Sequence, residues 1–120
     1  MTVDKQETTT SWDELPATIT TYLTAHEAKD AATAIKTFAA DAVVTDEGHT
    51  YRGIDEILAW LNSAGTEYTF TTDFVGATVA DAARIDVVQH LEGDFPGGVA
   101  DLHFRFTTDG ALISRLVIEP

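Results

Sequence analysis

The chain has no cysteine, one methionine and three prolines, and its 7 basic side chains are outnumbered by 20 acidic ones. Without cysteine there is no disulfide, no thiolate zinc or iron–sulfur ligation and no cysteine nucleophile. The few Lys and Arg are scattered, so no basic patch forms. A formal charge of −13 repels phosphate backbones and anionic lipid headgroups. Neither nucleic acid nor a membrane surface is an expected partner. No apolar run approaches the roughly 18–20 residues that span a bilayer. The opening MTVDKQETTTSWDEL lacks a basic-then-apolar leader pattern, which places the protein in the cytoplasm on this reading. Dinucleotide, P-loop and nucleophile-elbow glycine motifs are missing too. His26-Glu27 is followed by Asp30 where a zinc-binding HExxH helix needs its second His, and the four histidines are dispersed, so neither a metal nor a cofactor is expected.

What remains is an ordinary globular composition: 120 residues, 44% hydrophobic and 22% charged. One domain of this size can bury a core and still enclose a small-molecule pocket. Residues 1–12 read as a flexible polar tail and 13–120 as the domain. A first helix is expected to begin between Asp13 and Pro16, where Ser11 and Glu14 have capping-box spacing. Ile19, Tyr22, Leu23 and His26 then recur along one helical face. Asp30 reads as the N-cap of a second helix with Ala31, Ala34, Ile35 and Phe38 on its buried face. Ala42 to Thr45 and His49 to Arg52 flank the turn signal Asp46-Glu47-Gly48, the pattern of a small hairpin. Gly53 opens a third helix, with Ile54, Ile57, Leu58 and Leu61 facing the core and Trp60 beside them; Ala64-Gly65 ends it.

From Glu67 the apolar period changes to two. Tyr68, Phe70, Thr72 and Phe74 share a face, and strands follow at 83–91, 99–107 and 112–118. The alternation is cleanest at Leu102, Phe104 and Phe106, against Asp101, His103 and Arg105 on the other face. The last strand is expected to face Leu116 and Ile118 inward and Arg115 outward. Its register, and that of 83–91, leaves open which of Arg84, Asp86, Gln89, His90 and Arg115 face the interior. Three helices followed by a meander predict an α+β fold, with the helices packed on one face of a curved antiparallel or mixed sheet.

The order of these features resembles the nuclear-transport-factor-2-like (NTF2-like) superfamily, and within it the SnoaL-like proteins, across residues 13–119. The strongest stretch is 30–60: an apolar segment ending in Phe38, then Asp41-Ala42-Val43, an acidic turn at Asp46, Tyr51-Arg52-Gly53 and a helix carrying Trp60. Residues 93–110 resemble a hairpin form of SnoaL-like members. The resemblance implies a cone: a curved sheet wrapped around the first helix, open at one end. It also implies a group that includes ketosteroid isomerases, polyketide cyclases, limonene-epoxide hydrolases and scytalone dehydratases, together with non-catalytic members.

Aligned on a ketosteroid isomerase, Tyr22 falls on the oxyanion-hole tyrosine and Asp46 on the general-base aspartate without a gap. A carboxylate desolvated in an apolar cavity becomes a useful base, and a phenol aimed at a developing enolate stabilises it; the isomerase is itself the standard illustration of such pKa tuning. The isomerase's third polar residue falls on Leu102, with Asp101 one residue away on the opposite face. Each candidate also has a plain structural role: Tyr22 as a core aromatic, Asp46 as a turn residue, His26 as a rim histidine. The expected catalytic set is Asp46, Tyr22 and His26, and the expected ligand-binding set is Trp60, Leu102, Phe104, Leu116 and Ile118. Two functions follow: acid–base isomerisation, cyclisation or dehydration of a hydrophobic small molecule without a cofactor, or a non-catalytic homodimeric carrier of an apolar ligand. Dimerisation is expected through the outer sheet face bearing Asp101, His103 and Arg105.

Overall fold

The structure, a computed structural model, describes residues 8–63 and 70–120. The elements run β1 (Thr8–Thr10), α1 (Ala17–Glu27), α2 (Ala31–Ile35), β2 (Phe38–Asp46), β3 (His49–Arg52), α3 (Gly53–Ser63), β4 (Phe70–Asp81), β5 (Arg84–Gly93), β6 (Val99–Asp109) and β7 (Leu112–Glu119). One seven-stranded sheet has the order β1-β4-β5-β6-β7-β2-β3. The meander β4 to β7 is antiparallel, as the period-two pattern predicts, and the only parallel pairing among the described strands joins β7 to β2. The helices cover one sheet face, so the α+β expectation holds. Among the described residues no helix is long and apolar enough to cross a membrane.

Three local expectations change. Thr8–Thr10, assigned to the flexible tail, instead pairs antiparallel with β4 as an edge strand, Thr10 opposite Ala77. The Ser11–Glu14 pair closes a short 3₁₀ turn rather than the first helix: the Glu14 carboxylate accepts from the Ser11 amide at 3.0 Å, and α1 starts only after Pro16. Phe38 opens β2 instead of closing the second helix. That helix is N-capped by Asp30, which accepts from the Thr33 amide at 3.1 Å. It stops after five residues because the carbonyl of Ala34 is taken by the Thr37 amide and by its hydroxyl at 2.6 Å. The Thr37 carbonyl then accepts from Ile113 of β7, so the strand ladder captures the chain. The third helix's expected end at Ala64-Gly65, and Tyr68, lie outside the described residues.

The β2–β3 hairpin follows the sequence reading closely. Asp46 pairs with His49 across Glu47 and Gly48, which have φ of +50° and +84°. Two successive residues of positive φ make the turn whose twist matches the strands it joins, and Gly48 takes the position a side chain tolerates least. Asp46 is thereby fixed at the last residue of β2, pointing to the helix-covered face.

The core lies between that face and the helices. Ile19, Tyr22 and Leu23 of α1 meet Phe104 and Phe106 of β6 and Leu116 and Ile118 of β7, all buried. Ile85, Val87 and Gln89 of β5 are buried on the same side, while Arg84, Asp86, His90 and Arg115 take the outer-face parity. The register skips Val75 in β4 and Ser114 in β7, marking bulges, which bend strands and deepen a sheet's concavity.

Candidate active site

Curvature leaves one end of the core unfilled. A cavity of about 550 Å³ opens there between α1, α3 and the concave sheet. Its walls are chiefly apolar: Leu23 from α1, Trp60 from α3, Phe70 from β4, Leu91 from β5, Leu102 and Phe104 from β6, Ile118 from β7, with Phe95 and Pro96 from the β5–β6 turn. The polar lining is His26, Glu27, Asp46, Glu47, Ser63, Thr72 and Gln89; no Lys or Arg contributes among the described residues.

Asp46 and Trp60 form the first polar pair. The Trp60 indole N–H donates to Asp46 Oδ2 at 3.0 Å, holding the carboxylate at the cavity wall. The hairpin turn supplies Asp46 and the helix that follows at once supplies Trp60, which is why their sequence proximity becomes contact. Tyr51 of β3 backs the indole, with ring centroids 6.0 Å apart.

Tyr22 and His26 form the second pair, on successive turns of α1. The phenol oxygen lies 3.0 Å from His26 Nδ1. Tyr22 is 0% exposed, enclosed by edge-on contacts to Phe38 and Phe106 at 5.5 and 5.6 Å. Burial, reinforced by the negative charge of Asp46, pushes the Tyr22 pKa well above its ordinary value, so the phenol keeps its proton. His26 lies between Trp60 and Phe104, at centroid distances of 5.8 and 6.2 Å. Burial lowers its pKa, and Asp46 opposes that shift without cancelling it, so the imidazole is neutral at pH 7.

Hydrogen-bond accounting then assigns the tautomer. The buried phenol O–H has one acceptor among the described residues, His26 Nδ1. A proton on Nδ1 would strand that hydroxyl. The phenol therefore donates to Nδ1, and the imidazole carries its own proton on Nε2. The site thus holds a carboxylate acceptor, Asp46, and an imidazole donor, His26.

Of the expected site residues, Asp46, His26, Trp60, Leu102, Phe104 and Ile118 line the cavity. Tyr22 and Leu116 do not: both are fully buried in the core, Tyr22 directly behind His26. Helical periodicity places Tyr22 on the inward face of α1 but says nothing of how deep along the axis the cavity begins. Gln89 is an interior residue that the uncertain register left open; counting parity from Ile85 and Val87 points to it. Arg84 and Arg115 are exposed on the outer face, so neither reaches the cavity. Among the described residues no group of three His, Asp or Glu side chains is placed to hold a metal ion.

Asp101, His103 and Arg105 do share the outer face. There they join a network of polar contacts: His90 bonds Asp101 at 2.6 Å and Glu92 at 2.8 Å, His103 bonds Asp86 at 2.9 Å, and Arg105 bonds Glu119 at 2.8 Å.

A cavity at the open end of a sheet curled around its first helix matches what the sequence resemblance implied, and comparison with known proteins agrees. Residues 19–115 match the SnoaL-like domain family. The chain belongs to that family. This SnoaL-like chain is similar to a proposed polyketide cyclase from Sinorhizobium meliloti, with 32% identity and TM-score 0.84 over 92% of this chain and 100% of that one. It also shares the fold of Delta 5-3-ketosteroid isomerase from Mycobacterium sp., at 18% identity and TM-score 0.69 over 87% of this chain and 90% of that one. A Catenulispora acidiphila protein with a ketosteroid isomerase-like fold, solved in complex with trimethylamine, aligns at 17% identity and TM-score 0.75 over 88% and 85% of the two chains. No curated protein sequence matches the chain. The fold is the NTF2-like cone.

Proposed function

We propose that this SnoaL-like protein binds a hydrophobic small molecule and performs acid–base chemistry on it, of the isomerase, cyclase or dehydratase type. The observation that carries this reading is the pairing of the Asp46 carboxylate, held by Trp60, with the neutral His26 imidazole in one apolar cavity. Asp46 takes a proton from a carbon next to a carbonyl. The C–H electron pair moves into the carbonyl system, and His26 Nε2–H donates a hydrogen bond to the oxygen as it gains charge. Returning the proton to another carbon gives isomerisation; attack of the enolate carbon on a second carbonyl gives aldol cyclisation. Neither step needs a cofactor.

Tyr22 is a positioning residue in this scheme. It accounts for the His26 tautomer and does not touch the ligand. Likeness to the polyketide cyclase-like protein of Sinorhizobium meliloti supports a polycarbonyl or aromatic substrate class. The test is turnover of such substrates by wild type and Asp46→Asn. A positioned base contributes about 10²–10⁴-fold, so a variant within a few-fold of wild type removes Asp46 from the chemistry.

Leu102 favours a second reading. Where the isomerase alignment calls for a third polar group the cavity presents an aliphatic side chain, as suits a carrier of an apolar ligand. In that case ligand binds, no substrate turns over, and Asp46→Asn alters affinity alone.

A further inference from the structure

Gln89 is a polar side chain of the cavity for which neither reading has a use. It lies in β5 between Val87 and Leu91 on the concave face, is 7% exposed and lines the cavity. Its neighbours across the sheet are Phe74 on one side and Leu102 on the other. Its carboxamide makes no hydrogen bond to any described residue. Among the described residues no buried side-chain N or O atom lacks a partner, so the two donors and the acceptor of this amide are open to the cavity rather than stranded in the core.

We propose that Gln89 is the ligand-recognition residue at the far end of the cavity from Asp46, where it binds a neutral carbonyl or hydroxyl group. This rests on the cavity being a ligand site, and it adds the ligand's second anchor and its approximate length. The position follows from the register. Asp46 lies opposite Ile118, Ile118 opposite Phe104, and Phe104 opposite Val87, whose same-face neighbour is Gln89. Three strand spacings and two residues along β5 separate the two polar groups, roughly 16 Å measured along the sheet and less across its concave side. A ligand that reaches both must be longer than one ring and polar at each end.

The surroundings select the charge of that ligand. Glu27, Asp46 and Glu47 line the cavity, and no cation among the described residues does. A carboxylate or phosphate would meet like charge with no counter-ion. A wholly apolar molecule would cover Gln89 and leave its amide unpaired, at a loss in affinity of about tenfold. A neutral carbonyl or hydroxyl satisfies it.

The test uses the full chain and two probes, 2-naphthol and 2,6-naphthalenediol, which differ by one distal hydroxyl. The sequence holds three side-chain carboxamides, Gln6, Asn62 and Gln89, so the Gln89 NH₂ signals in a ¹⁵N spectrum are assigned by their loss in Gln89→Leu. Wild type is expected to bind the diol about tenfold more tightly than 2-naphthol, with the Gln89 NH₂ signals shifting at saturation. In Gln89→Leu, and in the shape-conserving Gln89→Met should the first fail to fold, the preference for the diol falls below about threefold while 2-naphthol still binds. A preference for the diol that persists in both variants, or unmoved Gln89 signals at saturating diol, overturns the proposal. In that event binding of either probe that weakens in Asp46→Asn leaves the cavity reading standing. Failure of wild type to bind either probe overturns both.

Discussion

Tyr22 donates its phenol hydrogen to Nδ1 of His26 across 3.0 Å, and that bond connects the sealed core to the open cavity. One side of it is a phenol that burial keeps protonated, and the other is an imidazole left with its N–H on Nε2. Long-range ¹H–¹⁵N spectra of wild type should show His26 protonated at Nε2 alone. In Tyr22→Phe, which keeps the ring packing on Phe38 and Phe106, the tautomer preference should relax. Turnover should fall about tenfold with little change in KM, and stability should fall by about 1 kcal/mol. Unchanged His26 nitrogen shifts would show that the phenol does not set the tautomer.

His26 and His90 should pull stability in opposite directions with pH. Burial depresses the His26 pKa. The unfolded chain therefore takes a proton first as pH drops below about 6.5, and the stability present above that value is lost as pH falls towards the folded-state pKa. His90 is raised, first by its hydrogen bond to Asp101 and then by that to Glu92. Its contribution is present below about 6.5 and fades as pH rises through the folded-state pKa. Urea titrations between pH 5 and 8 should show His26→Phe losing less stability on acidification than wild type, and His90→Asn losing less on alkalinisation. Parallel curves for all three proteins would contradict these assignments.

Trp60 should report on the cavity. The chain has two tryptophans, and Trp60 both lines the cavity and donates to Asp46. In a Trp12→Phe background, naphthol binding should quench the remaining emission. Trp60→Phe keeps the wall but frees the Asp46 carboxylate from its donor. Turnover should then drop by about 10-fold, a hydrogen bond to a charged group being worth about 1.5–3 kcal/mol.

The outer sheet face should carry a homodimer. Val75 and Val99 are exposed large hydrophobics, and the carboxylate contacts of His90, His103 and Arg105 lie on the outer side of β5 to β7. With a charge of −13 per chain, association should strengthen as salt rises from 20 to about 200 mM, because screening weakens the repulsion between copies. Light scattering that shows a monomer at high micromolar concentration and at both salt levels would rule the dimer out.

The parts of the fold that were legible in the sequence are those where a local period coincides with burial. Leu102, Phe104 and Phe106 alternate because one face of β6 meets helices and the other meets water. The acidic turn at Asp46-Glu47-Gly48 declares its hairpin because few residues accept positive φ. Phe38 misleads because Ala31, Ala34, Ile35 and Phe38 satisfy a helical period that Thr37 cuts short from outside the pattern. Thr8–Thr10 has no apolar alternation to read; its strand exists because β4 has an open edge.

The amino-acid sequence alone determines that an inward strand face, a short acid-tipped hairpin and an aromatic helix come together, since periodicity and turn chemistry are properties of neighbouring residues. Only the tertiary structure decides which inward-facing groups meet empty space. Tyr22 and His26 share one helical face, yet the first is sealed and the second opens on the cavity; Gln89 faces that cavity while His90, its neighbour, bonds Asp101 outside. That division depends on where the curved sheet parts from α1, a sum of bulges and twist across many strands that no local pattern encodes.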